Sequence, residues 1–266
     1  HYDLLPRTFE KLSALEPAAY QGAWPLLQQG ISRRFLVPQF HGREHFNVRV
    51  FGDLLQEKDR ELLTSLKCRS LASLSVSDKQ GPGYTAAFGF SEYKENQAYE
   101  SIIKEGLDAF EEVYGYRAVQ FTPPGGEEHS IVHNYAGSYG INYVDVPMIK
   151  REHQGGGRYR TRYYYSGKTN PAGITYLVRN VVFEPAEGDK TEAVNLALKQ
   201  IEAAFRLRRP AIISSHRVNF CGHVDPGNRQ KGLEALKLLL KRVKEKWPEV
   251  EFLSANELGD LVTRGK

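Results

Sequence analysis

The 266 residues are 41% hydrophobic and 26% charged, which suits one large α/β domain or two small ones. Thirty-six Lys and Arg against 32 Asp and Glu leave +4 with the signs interspersed, which argues against a nucleic-acid partner but leaves room for an anionic glycan. No run of about 18 apolar residues occurs, so no membrane span is expected, and two cysteines, Cys68 and Cys221, are too few for a disulfide scaffold and fit a reducing compartment.

Apolar β-type runs alternate with amphipathic helical stretches, punctuated by Pro, Gly and Asn, as in repeated βα units. In chain order the pattern predicts a helix over 6–27, a short strand over 34–40, a helix over 46–66 and a short strand over 84–90. Ile102, Ile103, Leu107, Phe110 and Val113 recur at helical spacing within 96–114. A strand over 117–122 ends at Pro123-Pro124-Gly125-Gly126, followed by a helix over 127–139 and a strand over 141–146. Residues 163–178 read as a hairpin folded about Gly167 and the Asn170-Pro171-Ala172-Gly173 turn, its second strand running toward Phe183. A helix over 191–207, an apolar strand over 210–215, a helix over 226–246 and a strand over 250–253 complete the series. Ser254 with Glu257 makes a capping box for a last short helix. No internal repeat or domain boundary stands out, so residues 1–266 read as a single domain.

Polar clusters fall repeatedly just after predicted strands: His41 to His45, the 122–126 turn, Asp145, and His216 to Asn219. In an α/β barrel those positions line the active site. His41 and His45 are four residues apart, so a helix or tight turn sends both rings to one side, where they can share a divalent metal. Two imidazoles leave such a site one protein ligand short, and the bland alternative is a pair of satisfied polar residues in a surface turn. Glu44, between them, is an acid/base candidate or the ion-pair partner of Arg43. His129 and His133 share the spacing, but with Glu127 and Glu128 beside them they read as a solvated helix face. His216, at a strand end, can act as a general acid, with Arg217 and Asn219 placed to hold a hydroxyl, carboxylate or sulfate. Arg158, Arg160 and Arg162 alternate ahead of Tyr163-Tyr164-Tyr165, as either an exposed hairpin arm or a surface for a flat, polar sugar.

These segments resemble the polysaccharide deacetylases of carbohydrate esterase type, near the polysaccharide (de)acetylase proteins of Bacteroidetes glycan loci. The resemblance is carried by Pro38-Gln39-Phe40-His41-Gly42-Arg43-Glu44-His45, Tyr176-Leu177-Val178-Arg179-Asn180, Ala211-Ile212-Ile213-Ser214-Ser215-His216-Arg217-Val218-Asn219-Phe220 and Lys246-Trp247-Pro248-Glu249-Val250-Glu251-Phe252. It implies an incomplete (β/α)7 barrel and metal-dependent removal of N- or O-acetyl groups from a polysaccharide. His41 and His45 would then hold a divalent ion, zinc by preference, with His216, Glu44 and Asp145 as catalytic candidates. Arg43, Thr122, Arg179, Arg217 and Asn219 would face the substrate. The family's Arg-Pro-Pro-x-Gly turn is approached by Thr122-Pro123-Pro124-Gly125-Gly126, with Thr in place of Arg. Its Thr-Phe-Asp-Asp strand end, source of the base and the third metal ligand, has no counterpart. The chain starts at His1 and holds a single Met, Met148, so a further strand ending in acidic residues is expected upstream. The competing readings are a glycoside hydrolase using two of Glu44, Asp145 and Glu128, about 5–10 Å apart across the sugar, and a non-catalytic glycan-binding barrel.

Overall fold

A computed structural model describes residues 22–68 and 82–264. The described chain is mixed α/β, and it groups into two units: residues up to Tyr163 with Lys168–Tyr176, and Tyr164–Gly167 with Leu177 onward.

The first unit opens with helix α1 (Ala23–Ser32); most of the helix expected over 6–27 lies outside the described residues. Residues 34–40 form no strand. Arg34 takes a positive φ of 59°, and only Phe40 bridges, in parallel, to Phe121. The helix expected over 46–66 is two, α2 (Val48–Gln56) and α3 (Arg60–Lys67), broken where Lys58 turns left-handed at φ 55°. Asp59 then caps the second, accepting from the Leu62 N–H at 2.9 Å.

The apolar run over 84–90 is buried but forms no strand, because its carbonyls are satisfied by side chains rather than by a ladder. Asn47 Nδ2 donates to the Ala86 and Gly89 carbonyls at 3.0 and 2.7 Å, and the Tyr99 hydroxyl donates to Gly89 as well. A 3-10 turn (Tyr93–Ala98) leads into α4 (Tyr99–Tyr114), whose Ile103, Leu107 and Phe110 are fully buried as their spacing predicts. Burying each such side chain contributes about 1.5–3 kcal/mol.

Strand β1 (Gln120–Phe121), α5 (Ser130–Ser138) and β2 (Tyr143–Val146) form a parallel βαβ unit, joined by β5 (Thr175–Val178) in the order β1-β2-β5. Between β2 and β5 stands an antiparallel hairpin, β3 (Ile149–His153) with β4 (Tyr159–Tyr163), paired from Ile149–Tyr163 to His153–Tyr159. The tip of this hairpin is the glycine run 155–157, where all three φ angles are positive; within the stretch expected as a hairpin over 163–178, Thr169 bridges Thr175 in antiparallel fashion across the 170–173 turn, at the start of β5.

In the second unit β6 (Val181–Val182), α6 (Lys190–Arg206) and β7 (Ile213–Ser214) make another parallel βαβ unit. Asn180 extends its short ladder, accepting from the Ile212 N–H at 2.8 Å and donating to the Pro210 carbonyl at 2.9 Å. Helix α7 (Pro226–Lys246) packs on α6, with Phe183, Val194, Ile201, Leu239 and Val243 in the core between. Helix α8 (Ala255–Arg264) follows Ser254, whose N–H and hydroxyl both donate to Glu257, while the strand expected over 250–253 does not form. Among the described residues the strands lie in three small separate sheets and no barrel is closed; no helix there is long and apolar enough to cross a membrane.

Candidate functional site

In the first unit the 41–45 segment is a tight turn rather than a helix. It is held against the Pro-Pro-Gly-Gly turn by Gly42, whose φ is 92° and whose added Cβ would lie 2.9 Å from the Pro124 ring. No other residue meets both conditions without strain. The turn carries His41 and His45 exposed, with ring centroids 5.2 Å apart and edge to face. His41 Nδ1 lies 2.6 Å from the Thr122 carbonyl. A proton on Nδ1 makes that hydrogen bond and directs the Nε2 lone pair outward.

Thr122 joins two candidates. Its carbonyl meets His41, while its hydroxyl donates to Asp145 Oδ2 at 2.7 Å and accepts from Gln120 Nε2 at 2.9 Å. The sequence had assigned Thr122 to substrate; the structure makes it the link between the His turn and a half-buried carboxylate on β2. Glu44 is clasped by its neighbour: Arg43 donates from Nε at 2.6 Å and from a terminal nitrogen at 2.7 Å, and also pairs with Glu105. Those hydrogen bonds raise the Arg43 guanidinium further, with the charges of Glu44 and Glu105 adding to them. The ion-pair reading of Glu44 and Arg43 is therefore the arrangement present.

Among the described residues no third His, Cys, Asp or Glu joins His41 and His45 in a group able to hold an ion. Two imidazoles do not complete a tetrahedral zinc site, so the described residues do not fit a resident ion on their own and no chemical step is routed through one.

The second HxxxH pair departs from expectation. His133 is fully buried and His129 nearly so, not a solvated face. His129 caps α5, its Nδ1 accepting from the Ile131 N–H at 3.0 Å. His133 Nε2 lies 3.1 Å from Glu128, and its Nδ1 faces the Tyr176 hydroxyl at 3.4 Å. Glu128 is also paired with Lys150, and both are buried. Burial alone would raise the Glu128 carboxyl, but Lys150 and His133 reverse that and hold it at about 2. A carboxylate so enclosed cannot reach a sugar, which removes Glu128 from the glycosidase pair.

In the second unit His216 is 76% exposed, and its Nδ1 sits 2.8 Å from Glu184 Oε1. Glu184 also accepts from the His216 backbone N–H at 3.2 Å and from Asn219 Nδ2 at 2.6 Å. This carboxylate–imidazole pair orients the ring with Nε2 toward solvent, the geometry of a proton donor or acceptor. Glu184 was missed in the sequence, although the rule that found the other candidates applies to it, since it follows β6 at Phe183-Glu184.

Asn219, expected at substrate, is instead 0% exposed. It donates to Glu184, to the His216 carbonyl and to Ser215, and accepts from the Ala186 N–H. Helix α7 passes so close that a Cβ on Gly232 would lie 1.8 Å from the Asn219 carbonyl oxygen. Gly232→Ala is therefore expected to cost about 1–3 kcal/mol, the range for overpacking, and to disturb the Glu184–His216 pair, both readable by denaturant titration beside the ring resonances of His216. Arg217 is exposed on the 3-10 turn Arg217–Phe220, and exposed Arg179 reaches Ser214 at 3.4 Å.

No protein-family model and no curated protein matches the sequence. Among solved structures the chain is similar to one described as "putative polysaccharide deacetylase from Mycobacterium smegmatis", at 14% identity and a TM-score of 0.45. The match covers 64% of this chain and 57% of that one.

Proposed function

We propose that the protein is a hydrolase acting on a carbohydrate, removing acetyl groups from a polysaccharide. The observation that supports this best is the convergence of the His41/His45 turn and Asp145 on Thr122, at the ends of neighbouring parallel strands. That is where an α/β sheet collects its catalytic groups. The motif resemblance at the 38–45 segment points the same way. His41 presents its Nε2 lone pair outward, Asp145 lies beyond Thr122 as a fixed carboxyl group, and His216, held by Glu184 in the second unit, is by the resemblance the proposed proton donor. In the same reading the fold is an incomplete (β/α)7 barrel, and His41 and His45 are two ligands of a divalent ion. The glycosidase alternative is less favoured, because Glu128 is enclosed and Glu44 is clasped by Arg43.

The test is acetate release from an acetylated polysaccharide such as acetylxylan, with reducing ends assayed in parallel and metal measured on protein purified without chelator. Acetate without new reducing ends is expected, together with bound metal, and both should disappear in His41→Ala while the melting temperature holds. Reducing-end release without acetate would overturn the reading in favour of a glycosidase.

A further inference from the structure

The Arg/Tyr segment after the glycine run has no part in the proposed chemistry, yet the hairpin it belongs to walls a cavity within the first unit. Alternation along β3 turns Lys150 and Glu152 to the buried side and leaves Arg151 and His153 on the other. His153 pairs directly with Tyr159 across the hairpin. From these positions a continuous stack runs along one wall: Arg151 lies 5.0 Å over the Tyr159 ring, His153 is 5.0 Å from Tyr159, and Phe90 is 4.8 Å from His153. The wall bounds a cavity of about 790 Å³, within the usual span of small-ligand sites.

The lining also carries polar groups. Glu127 and Glu92 are among them, and Glu127 is held in place by a hydrogen bond from the Gly83 backbone. Burial raises the Glu127 carboxyl above its ordinary range, which favours a group that can both donate and accept. The cavity adjoins the Pro-Pro-Gly-Gly turn that packs on the His41 segment. Pro124 is the contact of Gly42, and Gly126, two residues on, lines the cavity.

We infer that this cavity is a binding subsite for one neutral pyranose ring of the glycan, stacked by its C–H face against the His153–Tyr159 pair, which Phe90 backs, with its hydroxyls on Glu127, Glu92 and Arg151. An aromatic wall together with a few polar groups is the arrangement that a ring with one apolar and one hydroxylated aspect requires. Neutrality follows from the lining, where two carboxyls stand against one guanidinium, so an added carboxylate or sulfate would meet more repulsion than attraction. The inference rests on the reading of the chain as an enzyme of glycans, but binding can be measured where no acetyl group is present.

The experiment is calorimetric titration of the full chain with cellotetraose, with the N-acetylglucosamine tetramer and with the galacturonic acid tetramer. Either neutral tetramer should bind and the acidic one should bind more weakly. Tyr159→Ala, at a 57% exposed position, and Glu127→Gln should each weaken neutral binding by about tenfold at an unchanged melting temperature. Lys199→Ala, exposed on α6, should leave cellotetraose binding as it is. Failure of both neutral tetramers to bind, indifference to both cavity variants, or preference for the acidic tetramer would each overturn the inference. Absence of acetate release with binding intact would instead count against the deacetylase reading and leave the subsite standing.

Discussion

Replacing Lys150 with methionine is expected to destabilise the protein by about 3–5 kcal/mol, because it strands a buried carboxylate. Glu128 is 2% exposed and Lys150 4% exposed, so water cannot replace the lost ammonium. Only the neutral His133 imidazole would remain beside Glu128, since burial lowers the His133 pKa and Glu128 only partly offsets that. The double change Lys150→Met with Glu128→Leu should recover much of the loss, as apolar replacement of a buried pair is often neutral or better.

The same network sets the pH dependence of stability. Glu128 titrates at about 2 in the folded chain against an ordinary 4.5, so its contribution is full above the ordinary value and drains away as pH falls toward 2. His133 is depressed below its ordinary 6.5, so the unfolded chain takes up a proton that the folded chain refuses. Both shifts therefore remove stability on acidification, His133 from about pH 6.5 downward and Glu128 below about 4.5. Denaturant midpoints measured between pH 7 and 3 should fall continuously, and the double variant should lose the lower part of that fall. A Lys150→Met protein within about 1 kcal/mol of the parent would mean that the pair behaves as a solvated surface bridge.

How much of this was legible depended on whether the signal was local. Helices α4, α6 and α7 carry apolar periodicity, and Asp189 and Asp225 cap the last two, so their expected spans sit within a few residues of the observed ones. Short apolar runs are different. Those at 34–40, 84–90 and 250–253 have strand composition but no partner ladder, and at 84–90 the competitors include the side chains of Asn47, some forty residues earlier, and Tyr99. The 170–173 turn does close an antiparallel bridge, Thr169 to Thr175, but β3 went unread because three consecutive glycines look like a loop ahead of the strands when they are the turn between them. His129 and His133 looked solvated beside two glutamates. What packs on them is aromatic and distant in the chain: Phe90 and Tyr93 lie edge-on to His129, and Tyr176 lies against His133. The strand-end rule singled out His41 and Asp145 in the first unit and His216 in the second, yet it could not say that Thr122 meets the first two at once. Asn219 was taken for a substrate contact because the sequence does not show Gly232 passing over it.

His216 and Asn219, three residues apart, should respond to truncation in opposite ways. The His216 ring is exposed and touches only Glu184 among the contacts described, so His216→Ala should change folding stability by no more than about 0.5 kcal/mol. As the proposed proton donor to the leaving group, its loss should lower kcat for acetate release by about 10²–10⁴-fold. KM should stay nearly constant, because the proton transfer belongs to the transition state and not to substrate binding. Asn219→Ala removes partners from Glu184, from the His216 carbonyl and from the Ala186 N–H inside a fully buried pocket. Each buried polar group left unpaired costs about 1–3 kcal/mol, so this variant should lose stability first and activity only as a consequence. The two are separated by measuring kcat, KM and denaturant midpoint on the same preparations. If His216→Ala kept most of its kcat, the Glu184–His216 pair would be a structural clasp for the 215–219 loop and the proton donor would have to be sought elsewhere. If Asn219→Ala instead raised KM at full stability, a direct substrate contact would be restored to that residue.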